Sequence, residues 1–222
     1  MVFGKSIDQF SGVVMVKKLI ISPHVDDEVL GCGGILDSNC LVLYCGLDES
    51  LIDKKKNRPS SNTRMEELKK VVEITGHKFN ILKHKVNHYD ERLLIGDIEE
   101  VINSYKPEEI YIPHPSYNQD HRESYSASLV ALRPHDINHF VKKVLVYEQP
   151  HVAFWDNNDV PFKPNYFVPI DLGRKKQIYE LMKSQVRSFR SSDHVEALAV
   201  LRGGMSQQKH AEAFHILRWV VE

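Results

Sequence analysis

The stretch from Leu19 to Leu36, LIISPHVDDEVLGCGGIL, constrains the fold more than any other part of this sequence. It begins with an apolar run typical of a buried strand, turns at Ser22-Pro23, and resumes an apolar pattern at Val29. A strand, a tight polar turn and a helix in succession predict an α/β fold, in which ligands bind just outside the carboxyl ends of strands. The turn itself carries four ionisable side chains: His24, Asp26, Asp27 and Glu28. We therefore expect a functional site here.

The spacing within the turn favours a metal site. His24 and Asp27 are three residues apart, so an imidazole nitrogen and a carboxylate oxygen can converge on one cation at the roughly 2 Å distances that Zn²⁺ prefers. Asp26 lies between them and is free to take a proton from a metal-bound water, whose pKa the metal lowers to about 7. Capping of the following helix is the competing interpretation. It accounts for one acid, but not for three acids and a histidine.

A catalytic zinc needs a third protein ligand and an open position for water. The second polar cluster, PHPSYNQDH from Pro113 to His121, also follows an apolar, strand-like run and precedes a helical stretch. Two strand ends of one sheet would bring His121 to His24 and Asp27. Asp120 would then be free to orient a ligand through a hydrogen bond.

Composition indicates one globular domain over residues 1–222, with residues 1–16 as a short leader and Met15 as an alternative start to Met1. The chain is 42% hydrophobic and 27% charged, which is typical of a folded domain with an ample core. Its 29 basic and 30 acidic residues give no reason to expect nucleic acid or an anionic membrane as a partner. Assembly into a homo-oligomer stays open.

The sequence shows no secretory signal and no membrane span, and its cysteines favour a cytoplasmic location. Cys32, Cys40 and Cys45 lack CxxC spacing, and we interpret them as core residues rather than ligands.

Periodicity predicts further elements. A buried strand is expected at Leu41–Leu47, and the polar segment Asp48–Ser61 is either a solvated loop or a substrate lid. Helices are predicted over Glu123–Leu132 and from Asp171 to about Val186. A last helical stretch, interrupted at Arg202-Gly203-Gly204, is predicted to continue through Trp219.

Three segments of the sequence resemble one family. PHVDDEVLGCGG and NQDHRES resemble the two signature motifs, PHPDDE and HPDH, of the zinc-dependent N-acetylglucosaminyl deacetylases, the LmbE-like or PIG-L-like family. LRGGMSQQKHAEAF resembles its closing segment, so the resemblance runs from about Lys17 to the end. It implies a Rossmann-like three-layer α/β sandwich with a mostly parallel sheet, and removal of an acetyl group from an N-acetylated sugar or sugar conjugate.

The resemblance also implies roles for individual residues. The zinc ligands would be His24, Asp27 and His121, although another divalent metal is not excluded by affinity alone. Asp26 would be the general base that deprotonates the attacking water.

Two positions depart from the family pattern. Val25 replaces the usual proline, which should alter the stiffness of the turn and little else. Asn118 stands where many members have the first histidine of HPDH, thought to polarise the amide carbonyl or stabilise the oxyanion. An Asn side chain can donate a hydrogen bond to an oxyanion but cannot act as a protonated acid. The NQDH form resembles a branch that acts on sugars of bacterial glycan assembly.

Other residues are candidates for binding the substrate or supplying the missing acid. Arg64 could hold a hydroxyl or phosphate, with a surface ion pair to Glu67 as the alternative. His194 is the first choice for the acid and His151 the second, although each could be a solvated histidine at a helix end. Trp155 could stack on a sugar, and Arg202 in the closing segment is a further candidate for substrate binding.

Two other functions stay open at this point. The amide could belong to a thiol conjugate or a non-sugar metabolite. Alternatively, the chain could be a sugar- or nucleotide-binding module in which Asn118 has ended catalysis, although the intact ligand set argues against this.

Overall fold

The computed structural model describes residues 16–49, 60–154, 160–188 and 190–221. The predicted leader, except Val16, lies outside these residues, as do residues 50–59 of the predicted loop and Trp155. Val16 is buried in the core on one face of the sheet.

A mostly parallel sheet forms the middle of the molecule. Its strands within the described residues are β1 (Lys18–Ser22), β2 (Cys40–Glu49), β3 (Lys78–Val86), β4 (Glu109–Pro113), β5 (Lys143–Tyr147), β6 (Tyr166–Pro169) and β7 (Ala211–Trp219). Their order is β3-β2-β1-β4-β5-β7-β6. Strands β1 to β5 are parallel, and β7 runs antiparallel to both β5 and β6.

Helices cover both faces of this sheet. They are α1 (Asp27–Cys32), α2 (Ser61–Thr75), α3 (Glu91–Tyr105), α4 (Gln119–Ala131), α5 (Pro150–Phe154), α6 (Leu172–Glu180) and α7 (Ser192–Met205). One core contains side chains of α1, α2, α6 and α7, and the other contains side chains of α3 and α4. The predicted three-layer α/β sandwich is confirmed. None of the described helices is long and apolar enough to cross a membrane.

Strand β1 lies at the point that determines where ligands bind. Successive side chains of this strand point to opposite faces, so Ile20 packs in one core while Leu19 and Ile21 pack in the other. Burial on both faces explains the unbroken apolar run. The chain proceeds outward from β1 to β2 on one side, and β4 pairs on the other side. This change of direction leaves a crevice beyond the carboxyl ends of β1 and β4.

Helix α1 packs unusually close to the sheet. A Cβ atom added at Gly31 would lie 2.1 Å from the ring of Tyr147 on β5. Tyr147 also donates a hydrogen bond from its hydroxyl to the Ile21 carbonyl at 2.8 Å. Glycine at this position therefore lets the helix that begins in the polar turn lie directly against β5.

Three predicted elements differ from the observed ones. The predicted helical stretch through Trp219 is wrong over Ala211–Trp219, which forms β7. Pairing with β5 and β6 on either side outweighs the local helical preference of the AEAF segment. Helix α6 ends at Glu180, before the predicted limit, and α4 begins at Gln119, before the predicted start.

Candidate active site and metal centre

The turn between β1 and α1 is held by hydrogen bonds among neighbouring residues. The Ser22 hydroxyl donates to the His24 carbonyl at 2.7 Å, and the His24 N–H donates to Asp27 Oδ2 at 2.9 Å. Glu28 Oε2 accepts from the Asp26 N–H at 3.0 Å. Burial raises the pKa of Glu28 to about 8.

Asp26 has a strained backbone in this turn. Its φ is 148° and its ψ is −24°, a combination that residues with a side chain rarely adopt. Such strain persists only where the surroundings over-determine it, and it clusters at functional sites. Here the Glu28 carboxylate binds the Asp26 N–H, which helps to hold the strained residue in place.

The β4–α4 connection brings in the second group of polar side chains. Asn118 is the N-cap of α4, and its Oδ1 accepts from the Asp120 N–H at 2.9 Å. Asp120 and His121 therefore lie in the first turn of the helix, and both are buried. The cap explains why α4 begins earlier than its apolar pattern predicts.

His24, Asp27 and His121 converge as predicted. Asp27 Oδ2 lies 3.2 Å from His24 Nδ1 and 3.2 Å from His121 Nε2. One ligand atom from each residue lies within 4.8 Å of the others. Two imidazoles and one carboxylate on a solvent-accessible cleft form a donor set that fits Zn²⁺ and leaves a position open for a further ligand.

Asp120 lies behind this triad and orients one of its members. Its Oδ2 lies 2.8 Å from His24 Nε2 and accepts from the Asn87 N–H at 2.7 Å. The bond at Nε2 leaves Nδ1 of His24 to face Asp27. Burial favours the neutral imidazole, but hydrogen bonds to Asp120 and Asp27 outweigh it and raise the pKa of His24 to about 10. A metal ion would replace that proton.

Asp26 faces the same cleft and pairs with an arginine that the sequence did not point to. Arg190 Nη1 lies 2.8 Å from Asp26 Oδ2. Burial raises the pKa of the Asp26 carboxyl, while the Arg190 charge acts in the opposite direction. The carboxylate is thus held next to the triad without lying within it.

The cleft has a volume of about 210 Å³. Besides the triad and Asp26, its walls include three predicted candidates: Arg64, Asn118 and His151. Its remaining lining residues are Val25, Val86, Asn87, Tyr117, Gln185, Arg187 and Arg190.

His151, on α5, lies close to the triad. Its ring centroid is 5.6 Å from that of His121 and 5.3 Å from that of Tyr117. Burial lowers the pKa of His151 to about 3, so the ring is neutral at pH 7. Its buried Nε2 has no hydrogen-bond partner among the described residues.

Two predicted candidates lie elsewhere. Arg202 forms a two-pronged ion pair with Glu148, with both N–O distances at 2.6 Å, and neither residue lines the cleft. His194 Nδ1 lies 2.9 Å from the Ser191 hydroxyl at the start of α7, also outside the cleft lining.

Glu67 does not act as a partner for Arg64 in a surface ion pair. Its carboxylate accepts from the Ser184 N–H at 2.8 Å and from the Ser184 hydroxyl at 2.5 Å, and both Arg64 and Glu67 are buried. Arg64 donates to the Leu47 carbonyl at 3.3 Å. Glu67 therefore fixes the segment after α6 against α2.

That segment, residues 182–188 together with Arg190, is one part of the site that sequence reasoning missed, and Asn87 and Tyr117 are others. It contributes Gln185, Arg187 and Arg190 to the cleft. The predicted α6 helix continues to Val186, so most of this segment was assigned to a helix, and no motif surrounds the two arginines. Their positive charge is the sequence feature that could have marked them as candidates for binding.

Comparisons with known proteins agree with this geometry. The profile of the PIG-L family, described as GlcNAc-PI de-N-acetylase, matches residues 19–132. This span contains both polar clusters and the whole triad. Diacetylchitobiose deacetylase of Thermococcus kodakarensis is 25% identical over 90% of this chain and 83% of its own length.

Solved structures share the fold. N,N'-diacetylchitobiose deacetylase from Pyrococcus horikoshii superposes with a TM-score of 0.75 at 18% identity, covering 91% of this chain and 84% of its own. GalB from Pseudomonas putida, a 4-carboxy-2-hydroxymuconate hydratase, superposes with a TM-score of 0.67 at 18% identity, covering 93% of this chain and 98% of its own. One fold thus carries both a deacetylase and a hydratase, so the reaction has to be argued from the site.

Proposed function

The chain belongs to the PIG-L family of GlcNAc-PI de-N-acetylases, and we propose that it is a zinc-dependent hydrolase that removes the acetyl group from an N-acetylated amino sugar. The observation that carries this proposal is the placement of Asp26 beside the converging triad on one cleft. A metal centre alone would bind many ligands. A metal centre with a buried, unligated carboxylate next to it can also move a proton.

His24, Asp27 and His121 would hold the zinc ion, and Asp120 would keep His24 in the orientation that presents Nδ1. When bound, zinc supplies Lewis-acid chemistry, lowering the pKa of a water to about 7 and polarising a carbonyl group.

Asp26 would accept the proton of the attacking water as oxygen bonds to the acetyl carbon. The same proton then passes from Asp26 to the amide nitrogen as the carbon–nitrogen bond breaks, which yields acetate and the free amine. Arg190 positions the Asp26 carboxylate through the 2.8 Å ion pair.

The developing negative charge on the acetyl oxygen needs hydrogen-bond donors. Asn118 uses its Oδ1 for the helix cap, so its side-chain NH₂ group remains to donate into the cleft. The neutral ring of His151, with Nε2 facing no protein partner among the described residues, is the second donor. Between them they would take the place of the histidine that the family motif usually has at position 118.

The second motif and the cysteines support a cellular setting for the reaction. The NQDH form of the second motif and the three buried, unpaired cysteines support a role in bacterial glycan or sugar-conjugate assembly in the cytoplasm.

Acetate release tests the proposal. Zinc-loaded protein would be given a panel of N-acetylated sugars, free and nucleotide-linked, together with N-acetylated thiol conjugates and other non-sugar amides. We expect release from at least one sugar, loss of release with a chelator, and recovery when zinc is restored. Release from non-sugar amides alone would replace the sugar substrate, and binding of sugars by fully loaded protein without any release would favour a binding role.

A further inference from the structure

The chain reaches His151 through a short connection after β5, residues 148–150. Helix α5 itself has only five residues, Pro150–Phe154. A helix this short is not stable alone, because its first turn costs conformational entropy before enough hydrogen bonds form to offset the loss. Contacts from elsewhere in the fold must therefore set the position of the His151 ring.

Two of these contacts act at the start of the connection. The His114 N–H donates to the Tyr147 carbonyl at 3.0 Å, which joins the end of β5 to the residue that follows β4. The Glu148 carbonyl lies so near α1 that a Cβ atom added at Gly31 would be 2.9 Å from it. The backbone is thus confined as far as Glu148, three residues before His151.

The Glu148 side chain is fixed by Arg202, which comes from α7. Arg202 Nε and Nη2 lie 2.6 Å from Glu148 Oε1 and Oε2, respectively, so two hydrogen bonds join a planar guanidinium group to a planar carboxylate. Both side chains are largely buried, at 12% exposure for Arg202 and 4% for Glu148. A pair with two bonds fixes the direction of the carboxylate as well as its distance, which a lysine ammonium group does not.

Packing leaves this ion pair little room to move. Glu148, Arg202 and Pro150, the first residue of α5, line one cavity with a volume of about 10 Å³, which is about enough for a single water molecule. The Arg202 guanidinium carbon also lies 5.7 Å from the centroid of the Phe162 ring. A displacement of Glu148 would therefore be transmitted to the first turn of α5, which contains His151.

We propose that Arg202 and Glu148 are positioning residues for His151, whose ring they hold beside the triad through the β5–α5 connection. This inference rests on the proposed role of His151 as a donor to the acetyl oxygen. A hydrogen bond to a developing oxyanion depends steeply on distance and angle, so a small displacement of the donor lowers kcat. Arg202 thus serves the reaction without touching the substrate, from a place outside the cleft lining.

Two substitutions loosen the pair without removing either charge. Arg202→Lys keeps a cation beside Glu148 but loses the geometry of the two bonds. Glu148→Asp keeps the carboxylate but withdraws it by one methylene group. Since neither change leaves an unpaired buried charge, we expect both variants to fold, and either one is enough for the test.

A double-mutant cycle provides that test. In zinc-loaded protein we expect Arg202→Lys to lower kcat by about tenfold and to change KM by less than about twofold. In a His151→Phe background, which already lacks the donor, the same substitution should change kcat by less than about twofold. Glu148→Asp should give the same pattern. An equal fall in both backgrounds, or no fall in either, would overturn the inference.

Arg218→Lys is the matched control. Arg218, on β7, also binds through two guanidinium nitrogens, which donate to the carbonyls of Val141 and Leu132 at 2.9 Å and 2.7 Å. It does not line the cleft, so its replacement by lysine should leave kcat unchanged in both backgrounds. Denaturant titration checks that every variant is folded under the assay conditions. A fall in kcat as large in Arg218→Lys as in Arg202→Lys would also overturn the inference.

An NMR measurement separates this inference from the proposed reaction. The ring signals of His151, in zinc-loaded protein with isotopically labelled histidine, are assigned by their absence from His151→Phe. We expect Arg202→Lys to shift these signals and to leave in place those of His77, which is buried and does not line the cleft. Shifted His151 signals without acetate release from any N-acetyl substrate would refute the deacetylation alone. Acetate release with unshifted His151 signals in Arg202→Lys would refute the positioning role alone.

Discussion

The two sides of the cleft are built in different ways. The β1–α1 turn is held by hydrogen bonds between residues two or three positions apart, such as Ser22 to His24 and His24 to Asp27. Residues 182–188, on the other side, are held by Glu67, which is 117 positions from Ser184. The contacts that hold the first side lie within one short motif, whereas those that hold the second form only when distant parts of the chain pack together. The residues of the first side can therefore be predicted from the sequence, and those of the second cannot.

The largest effect should come from removing a metal ligand in the local motif. Asp27→Ala takes away the atom on which both histidines converge, so we expect zinc content near zero and a loss of turnover of roughly a thousandfold or more. Metal analysis and acetate release measure the two effects. His135→Ala, in a loop outside the cleft, should retain both. Full zinc occupancy in Asp27→Ala would contradict the ligand assignment.

Asp26→Asn should lower kcat by about a hundredfold or more while zinc stays bound, because the amide cannot accept the proton of water. This variant separates the two adjacent aspartates of one motif. Zinc content is measured alongside kcat, so that a loss of metal is not mistaken for a loss of proton transfer. A kcat within tenfold of the unaltered protein would remove Asp26 from its proposed role.

Gly31→Ala tests whether the β1–α1 side of the cleft also depends on a long-range contact, namely the packing of α1 against β5. The added Cβ would lie 2.1 Å from the Tyr147 ring and 2.9 Å from the Glu148 carbonyl, so we expect a loss of about 3 kcal/mol in the free energy of unfolding. Denaturant titration gives the value. Gly96→Ala, also within a helix but with nothing within 4 Å of the added Cβ, should instead gain up to about 1 kcal/mol. Equal effects at both glycines would mean that α1 is not packed as tightly as observed.

Glu67→Gln tests the long-range contact between Glu67 and Ser184 on the second side, and it has the smallest expected effect. The amide keeps one acceptor for Ser184 but loses the charge, so we expect a loss of about 1–2 kcal/mol in stability and a rise in KM with kcat nearly unchanged. Thermal unfolding and steady-state kinetics measure the two changes. Glu66→Gln, on the exposed face of the same helix, is the control. A change in kcat without a change in KM would show that Glu67 acts on the reaction rather than on the segment that follows α6.

The same contrast explains what sequence reasoning could reach. The polar turn, the N-capped start of α4 and the buried strand β1 are determined by nearby residues, and the triad followed from two strand ends that share one edge of the sheet. Strand β7 was mistaken for helix because its placement between β5 and β6 depends on partners far along the chain. Arg202 was a candidate because of its place in a motif, yet its side chain is taken up by Glu148. No sequence motif predicted that Arg190 would lie in the site, where it pairs with Asp26.

The strained backbone of Asp26 has a consequence for attempts to improve this protein. Glycine adopts a φ of 148° with less steric strain than aspartate does, so the backbone at this position favours Asp26→Gly in a search for thermal stability. The same substitution would delete the carboxylate proposed to carry the proton. Relief of backbone strain and retention of the proposed proton acceptor thus oppose each other at Asp26, which has the largest positive φ among the described residues other than glycine.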